Sequence, residues 1–313
     1  MREEANWIGR IALAIASPFL AILIAFTCLG LSRGVVMAQA KKSGSTGQPQ
    51  VEKKFEDFHH NNFDRPTNIA NEWFPLKPGT RFVYEGFTIE DDKPVAHRLV
   101  STVTDLTKVI DGVRTVVVWD VDHRAGQLAE TEIAFFAQDN DGNVWLLGEY
   151  PEEYEDGKLV AAPAWIRGRE DARAGISMKA KPRLGTPSYS QGWAPAVKWT
   201  DRGVVDQMGQ KICVRLGCYE DVLVIAETSK EEPDAQHLKY YARGVGNIRV
   251  GWRGEGDKTR ETLELVEVVR LGPKALAEAR AKALELEKRA YKFSKKVYGR
   301  TPPAEHMHGA KAR

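Results

Sequence analysis

The chain has 313 residues, a net charge of +2 and 42% hydrophobic residues. That length holds one large domain or two small ones. Charges of both signs in near balance exclude a dedicated nucleic-acid binder, which needs a clustered basic surface to neutralise phosphates.

The first forty residues read as an address. Arg10 is followed by an uncharged run, Ile11 to Ser32, then by Arg33 and the small-residue stretch Val35-Val-Met-Ala-Gln-Ala40. This order is that of an export signal, with cleavage after Ala38 or Ala40. The same run is long enough to cross a bilayer of about 30 Å. The expectation is an exported protein, periplasmic or extracellular, and tethered to the membrane by residues 11–32 if the segment stays uncleaved. Cys28 sits inside the apolar run, with Phe26-Thr27 before it and Leu29-Gly-Leu31 after it, and reads as one more apolar residue.

Residues 41–57 are polar and read as a flexible linker. A β-rich domain is expected over 58–272. Thr80 to Ile89 and Ala96 to Asp105 are rich in β-branched and aromatic residues, and further strands are read at 107–111, 113–121, 130–138, 143–149 and 158–161. Asp111-Gly112, Asp141-Gly142 and Asp156-Gly157 supply the dipeptide that type I′ hairpin turns prefer, because both central residues need positive φ. Residues 162–200 lack this periodicity and read as a long ordered excursion. Strands resume at 211–216, 221–228, 237–242, 247–252 and 262–270. Cys213 and Cys218 fall at a hairpin neck, where a cross-strand disulfide in an oxidising compartment is worth roughly 2 kcal/mol.

From Pro273 to Gly299 the pattern changes to an amphipathic helix. Leu276, Ala279, Ala283, Leu286, Ala290, Phe293 and Val297 form one narrow apolar stripe, with Gly299 suited to the left-handed C′ position. The stripe fits packing on the chain's own sheet or docking of a partner protein. Residues 300–313 read as a disordered tail. The expected fold is therefore mainly β: a curved antiparallel meander sheet or incomplete β-barrel with a C-terminal amphipathic helix.

Chemistry is harder to read. No nucleophile elbow, zinc-protease helix or phosphate loop occurs, and no cofactor is implied. Asp139-Asn-Asp-Gly-Asn143 fails as a calcium loop, since its twelfth position is Gly148 where a carboxylate is required. His59, His60, Asp120, Asp122 and His123 are weak metal candidates, to which His97 and His237 could be added if strands converge. Asp122 and His123 point to opposite faces of a regular strand, which spoils them as joint ligands. The best ligand-binding candidates are Tyr189, Gln191, Trp193 and Trp199, aromatic and amide side chains set among glycines in the long excursion.

Asn71-Glu-Trp-Phe-Pro-Leu-Lys-Pro-Gly-Thr80, Phe136-Ala-Gln-Asp-Asn-Asp-Gly-Asn-Val-Trp145, Glu149-Tyr-Pro-Glu-Glu-Tyr-Glu-Asp-Gly157 and Lys239-Tyr-Tyr-Ala-Arg-Gly-Val-Gly-Asn247 resemble segments of a family of exported bacterial β-rich proteins with no assigned activity. The resemblance spans roughly residues 60 to 270 and implies an exported antiparallel β fold. It supplies no catalytic residues. Relatives often carry Pro where this chain has Arg243. The function these observations favour is non-catalytic binding of a small or apolar ligand, or of a protein partner, in the cell envelope. The alternatives are a metal-assisted hydrolase with a His/carboxylate site and a structural subunit docking through helix 273–299.

Overall fold

A computed structural model describes residues 52–90, 92–257 and 260–307; the segment read as an export signal, most of the segment read as a linker and the last six residues lie outside these. Among the described residues no helix is long and apolar enough to cross a membrane.

Five long strands come first: β1 (Thr80–Glu90), β2 (Lys93–Ile110), β3 (Val113–Arg124), β4 (Gln127–Gln138) and β5 (Val144–Glu155). Short strands follow in the excursion and just before it: β6 (Lys158–Ala161), β7 (Trp165–Ile166), β8 (Arg173–Met178), β9 (Tyr189–Ser190) and β10 (Gly192–Trp193). Then come β11 (Arg202–Val214), β12 (Gly217–Thr228), β13 (Gln236–Ala242), β14 (Gly246–Arg253) and β15 (Thr262–Arg270). The chain ends in α1 (Pro273–Phe293), α2 (Lys295–Tyr298) and β16 (Glu305–His306).

Turn chemistry sets the register of the first hairpins. Asp111 and Gly112 have φ of 46° and 80°, and Asp156 and Gly157 have φ of 48° and 72°, the two left-handed residues a type I′ turn requires. Asp141-Gly142 behaves differently. Its turn is anchored by Asp139, whose carboxylate accepts the Asn143 N–H at 2.8 Å and the Trp145 indole N–H at 2.7 Å. The strands expected at 96–105 and 107–111 are one strand, β2; the apparent break is a register shift against β3 between Val103 and Thr107. Cys213 and Cys218 are bonded across β11 and β12 with their Cα atoms 3.9 Å apart.

The strand order is β10-β8-β5-β4-β3-β2-β1-β15-β14-β13-β12-β11-β9, antiparallel throughout. The ladder is open, yet both of its ends belong to one segment of chain. Tyr189 and Ser190 pair with β11, Gly192 and Trp193 pair with β8, and only Gln191 separates them. The fold is thus an incomplete barrel of mainly antiparallel strands.

Both faces of the sheet are apolar. Along β3, Val116 and Val118 belong to an inner cluster with Phe82, Tyr84 and Leu263, while Val113 and Val117 belong to an outer one with Ile133 and Phe135. Helix α1 covers the outer face, burying Ala279, Ala283, Leu286 and Ala290. Fully burying one leucine-sized side chain stabilises by about 1.5–3 kcal/mol, so this stripe ties the helix down. The helix is interrupted at Ser294, and Gly299 has φ of −63° rather than the left-handed value expected of a C′ glycine. Phe293, expected in the stripe, is 48% exposed.

The ends of the described chain pack on the barrel. Phe55, read as linker, meets the Trp193 ring at 5.5 Å, and the Lys53 carbonyl accepts from Arg202 at 2.9 Å. Glu305 and His306, read as tail, pair with β2.

Candidate ligand cavity

The inner face lines a half-open cavity of about 300 Å³. One part of its wall is apolar, with Leu76, Phe82, Leu99, Phe136 and Leu263. Segment 66–78 closes that side, placing Ile69, Trp73 and Leu76 in the inner cluster.

The rest of the wall is acidic. Asp120 on β3 lies directly opposite Glu132 on β4, and Glu149 on β5 pairs with Ala134, the next inward residue of β4. Asp201 and Glu227 complete the acidic wall beside β11 and on β12. Like charges directly opposed on neighbouring strands repel, and burial denies them water. Burial pushes the Asp120 carboxyl up to about 6, against a Ser101 hydrogen bond and with the Asp122 charge adding. It likewise pushes Asp201 to about 6, with the Glu227 charge adding. Glu132 rises well above the carboxylate range through burial and then the charges of Glu149, Glu130 and Asp120. Glu149 is raised by burial and by Asp201, although the Trp165 indole N–H donates to it at 2.9 Å.

Among the described residues, Lys239 is the one cation in the cavity wall. Its Nζ lies 2.9 Å from Glu227, and Gln191 donates to the other oxygen of that carboxylate at 2.8 Å. Burial lowers the Lys239 pKa, but Glu227 and its neighbours outweigh this and the net shift is upward.

Of the four ligand-binding candidates, Gln191 and Trp199 line the cavity. Trp199 stacks on Trp165 at 6.2 Å, and its indole nitrogen would lie 2.5 Å from a Cβ at position 192. Gly192 is therefore what lets the tryptophan in. Tyr189 is 1% exposed and packs under the Lys179 ammonium, while Trp193 lies against Phe55 and Lys54; neither lines the cavity.

The histidines do not gather. His60 pairs with Asp111 at 2.9 Å, His59 is exposed, His123 pairs with Leu128 across β3 and β4, and His237 lies 3.5 Å from Asp257. The closest approach to a metal set is His97, Asp122 and Glu261. Asp122 takes the Nε2 side of the ring at 2.6 Å and Glu261 the Nδ1 side at 3.1 Å. One donor atom from each of the three lies within 4.8 Å of the others, with the two carboxylates against different ring nitrogens. Two of the seven candidate residues thus meet, and Glu261 joins them.

No family model matches the chain, and no curated protein matches it. Two solved structures resemble it at a distance. One is a candidate exported protein of Bacteroides fragilis with a YmcC-like fold, 12% identical, covering 64% of this chain and 99% of its own at a TM-score of 0.34. The other is a candidate lipoprotein of Parabacteroides distasonis, 13% identical, with the same coverages, 64% and 99%, at a TM-score of 0.35. The likeness is too distant to carry a site or an activity to this chain.

Sequence reasoning missed Glu132, Glu149, Asp201, Glu227 and Lys239. A signal was present. In β3 and β4 both alternating faces are apolar, at Val116/Val118 and Val117, and at Ala134/Phe136 and Ile133/Phe135. A carboxylate continuing either row cannot reach bulk water easily, whichever face it occupies.

Proposed function

We propose that this is an exported, non-catalytic binding protein of the cell envelope that holds a small, partly apolar ligand inside its incomplete barrel. The observation that carries this reading is the cavity itself: a half-open cleft of about 300 Å³, apolar along one wall and polar along the other. Small-molecule sites have this character, with few placed polar groups on an apolar lining. The export signal supports the compartment, and Gln191 and Trp199 from the excursion supply the adaptable wall.

Fluorescence of N-phenyl-1-naphthylamine tests it. The dye, dark in water, should brighten and shift to the blue on addition of the protein. Ala134 lines the cavity and is 3% exposed, so Ala134→Trp should fill the space and abolish the change. Brightening that survives Ala134→Trp in a folded variant, or no brightening at all, would remove the ligand reading.

A further inference from the structure

Resting on the cavity reading above, we infer that the ligand is an organic ammonium ion, seated against the acidic wall formed by Asp120, Glu132 and Glu149.

The charge balance argues first. Six carboxylates line the cavity, Asp120, Glu132, Glu149, Asp201, Glu227 and Glu261, against the single ammonium of Lys239. Lys239 is committed to Glu227, and Glu261 faces His97. Asp120 and Glu132, paired across β3 and β4, have no ion-pair partner within contact distance among the described residues. An anionic ligand would add to the repulsion, and a neutral apolar one would leave it as it stands. A cation relieves it.

A second, independent observation is an orphaned acceptor. Asp120 Oδ1 is buried and accepts no hydrogen bond. A buried acceptor without a donor is costly and rare in folded proteins, so the atom calls for a donor from something that enters the cavity. The indole nitrogen of Trp199, also in the wall, is a buried donor without an acceptor. A hydroxyl on the ligand, which both donates and accepts, suits these two atoms, and a cationic charge beside it suits the carboxylates around them.

The third observation is the aromatic lining. Phe74, Phe82, Tyr84, Phe136, Trp199 and Tyr241 line the same space as the carboxylates. Aromatic faces combined with carboxylates recognise organic cations, whose charge is spread over alkyl groups that also require apolar contact. A bare metal ion uses oxygen donors in a compact shell and gains nothing from these rings.

Isothermal titration calorimetry on the purified protein distinguishes the outcomes, with choline as probe and 3,3-dimethylbutan-1-ol as its neutral isostere. Choline should bind at least tenfold more tightly than the isostere. Asp120→Asn should weaken choline at least fivefold and leave the isostere unchanged; Glu132→Gln, opposite it, serves the same purpose if the first variant fails to fold. Equal affinity for the two probes, or binding of calcium or zinc chloride without choline, overturns the ammonium inference. If choline fails while the naphthylamine dye still binds and is blocked by Ala134→Trp, the charge inference falls alone. If the dye fails as well, both readings fall.

Discussion

The two faces of the same sheet treat buried charge in opposite ways. On the outer face the buried charges Lys108, Glu287 and Glu152 are matched. Lys108, on β2 and 1% exposed, reaches Glu287 on α1 at 2.8 Å, the Tyr291 hydroxyl at 3.1 Å and the Pro302 carbonyl at 2.5 Å, with the Tyr298 ring 4.4 Å away. Glu152 on β5 accepts from Tyr150 and Tyr154 at 2.7 Å each and from Arg289 at 2.9 Å. On the inner face carboxylates outnumber cations and one buried oxygen is orphaned. A matched network locks a helix onto a sheet; an unmatched one leaves a place for something else.

The largest expected effect lies on the outer face. Glu287→Leu strands the Lys108 ammonium in the interior, and breaking one side of a buried pair costs about 3–5 kcal/mol. Urea unfolding should register that loss. The double variant Lys108→Met/Glu287→Leu, which removes both charges, should recover most of it. A single-variant loss below about 1 kcal/mol would mean that water reaches Lys108, and the contrast between the faces would break.

The overall fold was legible in the sequence and the acidic cavity was not. Asp111-Gly112 and Asp156-Gly157 announce their turns because few residues tolerate positive φ, and the β-branched runs of β1 to β4 announce strands. Asp120, Glu132 and Glu149 look like solvated strand residues, since nothing in one strand says that its neighbours curl around it. Where the two ends of the open sheet come together is decided by Tyr189–Trp193, two-residue strands in a segment with no periodicity. The split of the four aromatic-loop candidates follows from this. Trp199 reaches the cavity because Gly192 gives way to the indole, a contact between residues whose spacing carries no pattern.

The pH dependence of stability should run in opposite directions for the two faces. Asp120 and Asp201 have folded pKa values of about 6, above the ordinary carboxylate value near 3.9, so the folded state binds more protons than the unfolded one between those limits. Their contribution is fully present below about pH 4 and is lost as pH rises through about 6. Together with Glu132 and Glu149, also raised, the loss between pH 4.5 and 8 should be about 4 kcal/mol or more; Lys239 stays protonated in both states over this range and leaves the slope unchanged. Glu152 differs: burial pushes it up, but the hydrogen bonds from Arg289, Tyr154 and Tyr150 prevail and hold it below its usual value. Its contribution is lost as pH falls below the ordinary glutamate range. Urea midpoints measured from pH 4.5 to 8 check the sign; a rise across this range would show that the inner carboxylates are compensated.

The smallest effect is the sharpest comparison, because it uses the same substitution twice. Glu132→Gln keeps the shape of the side chain and removes a charge that Glu149, Glu130 and Asp120 oppose. At pH 8 it should stabilise the protein by about 1 kcal/mol, the usual size of a favourable single substitution, because burial and the neighbouring carboxylates oppose the charge it removes. Glu152→Gln removes a charge that Arg289 and two tyrosines hold, and a neutral amide returns weaker hydrogen bonds to the guanidinium. That variant should destabilise by about 1 kcal/mol or more at the same pH. At pH 4.5 the gain from Glu132→Gln should vanish, because the carboxyl is then protonated and already neutral. A gain that persists at pH 4.5 would assign the effect to packing rather than charge, and the inner wall would lose its claim to be an unmatched acidic surface.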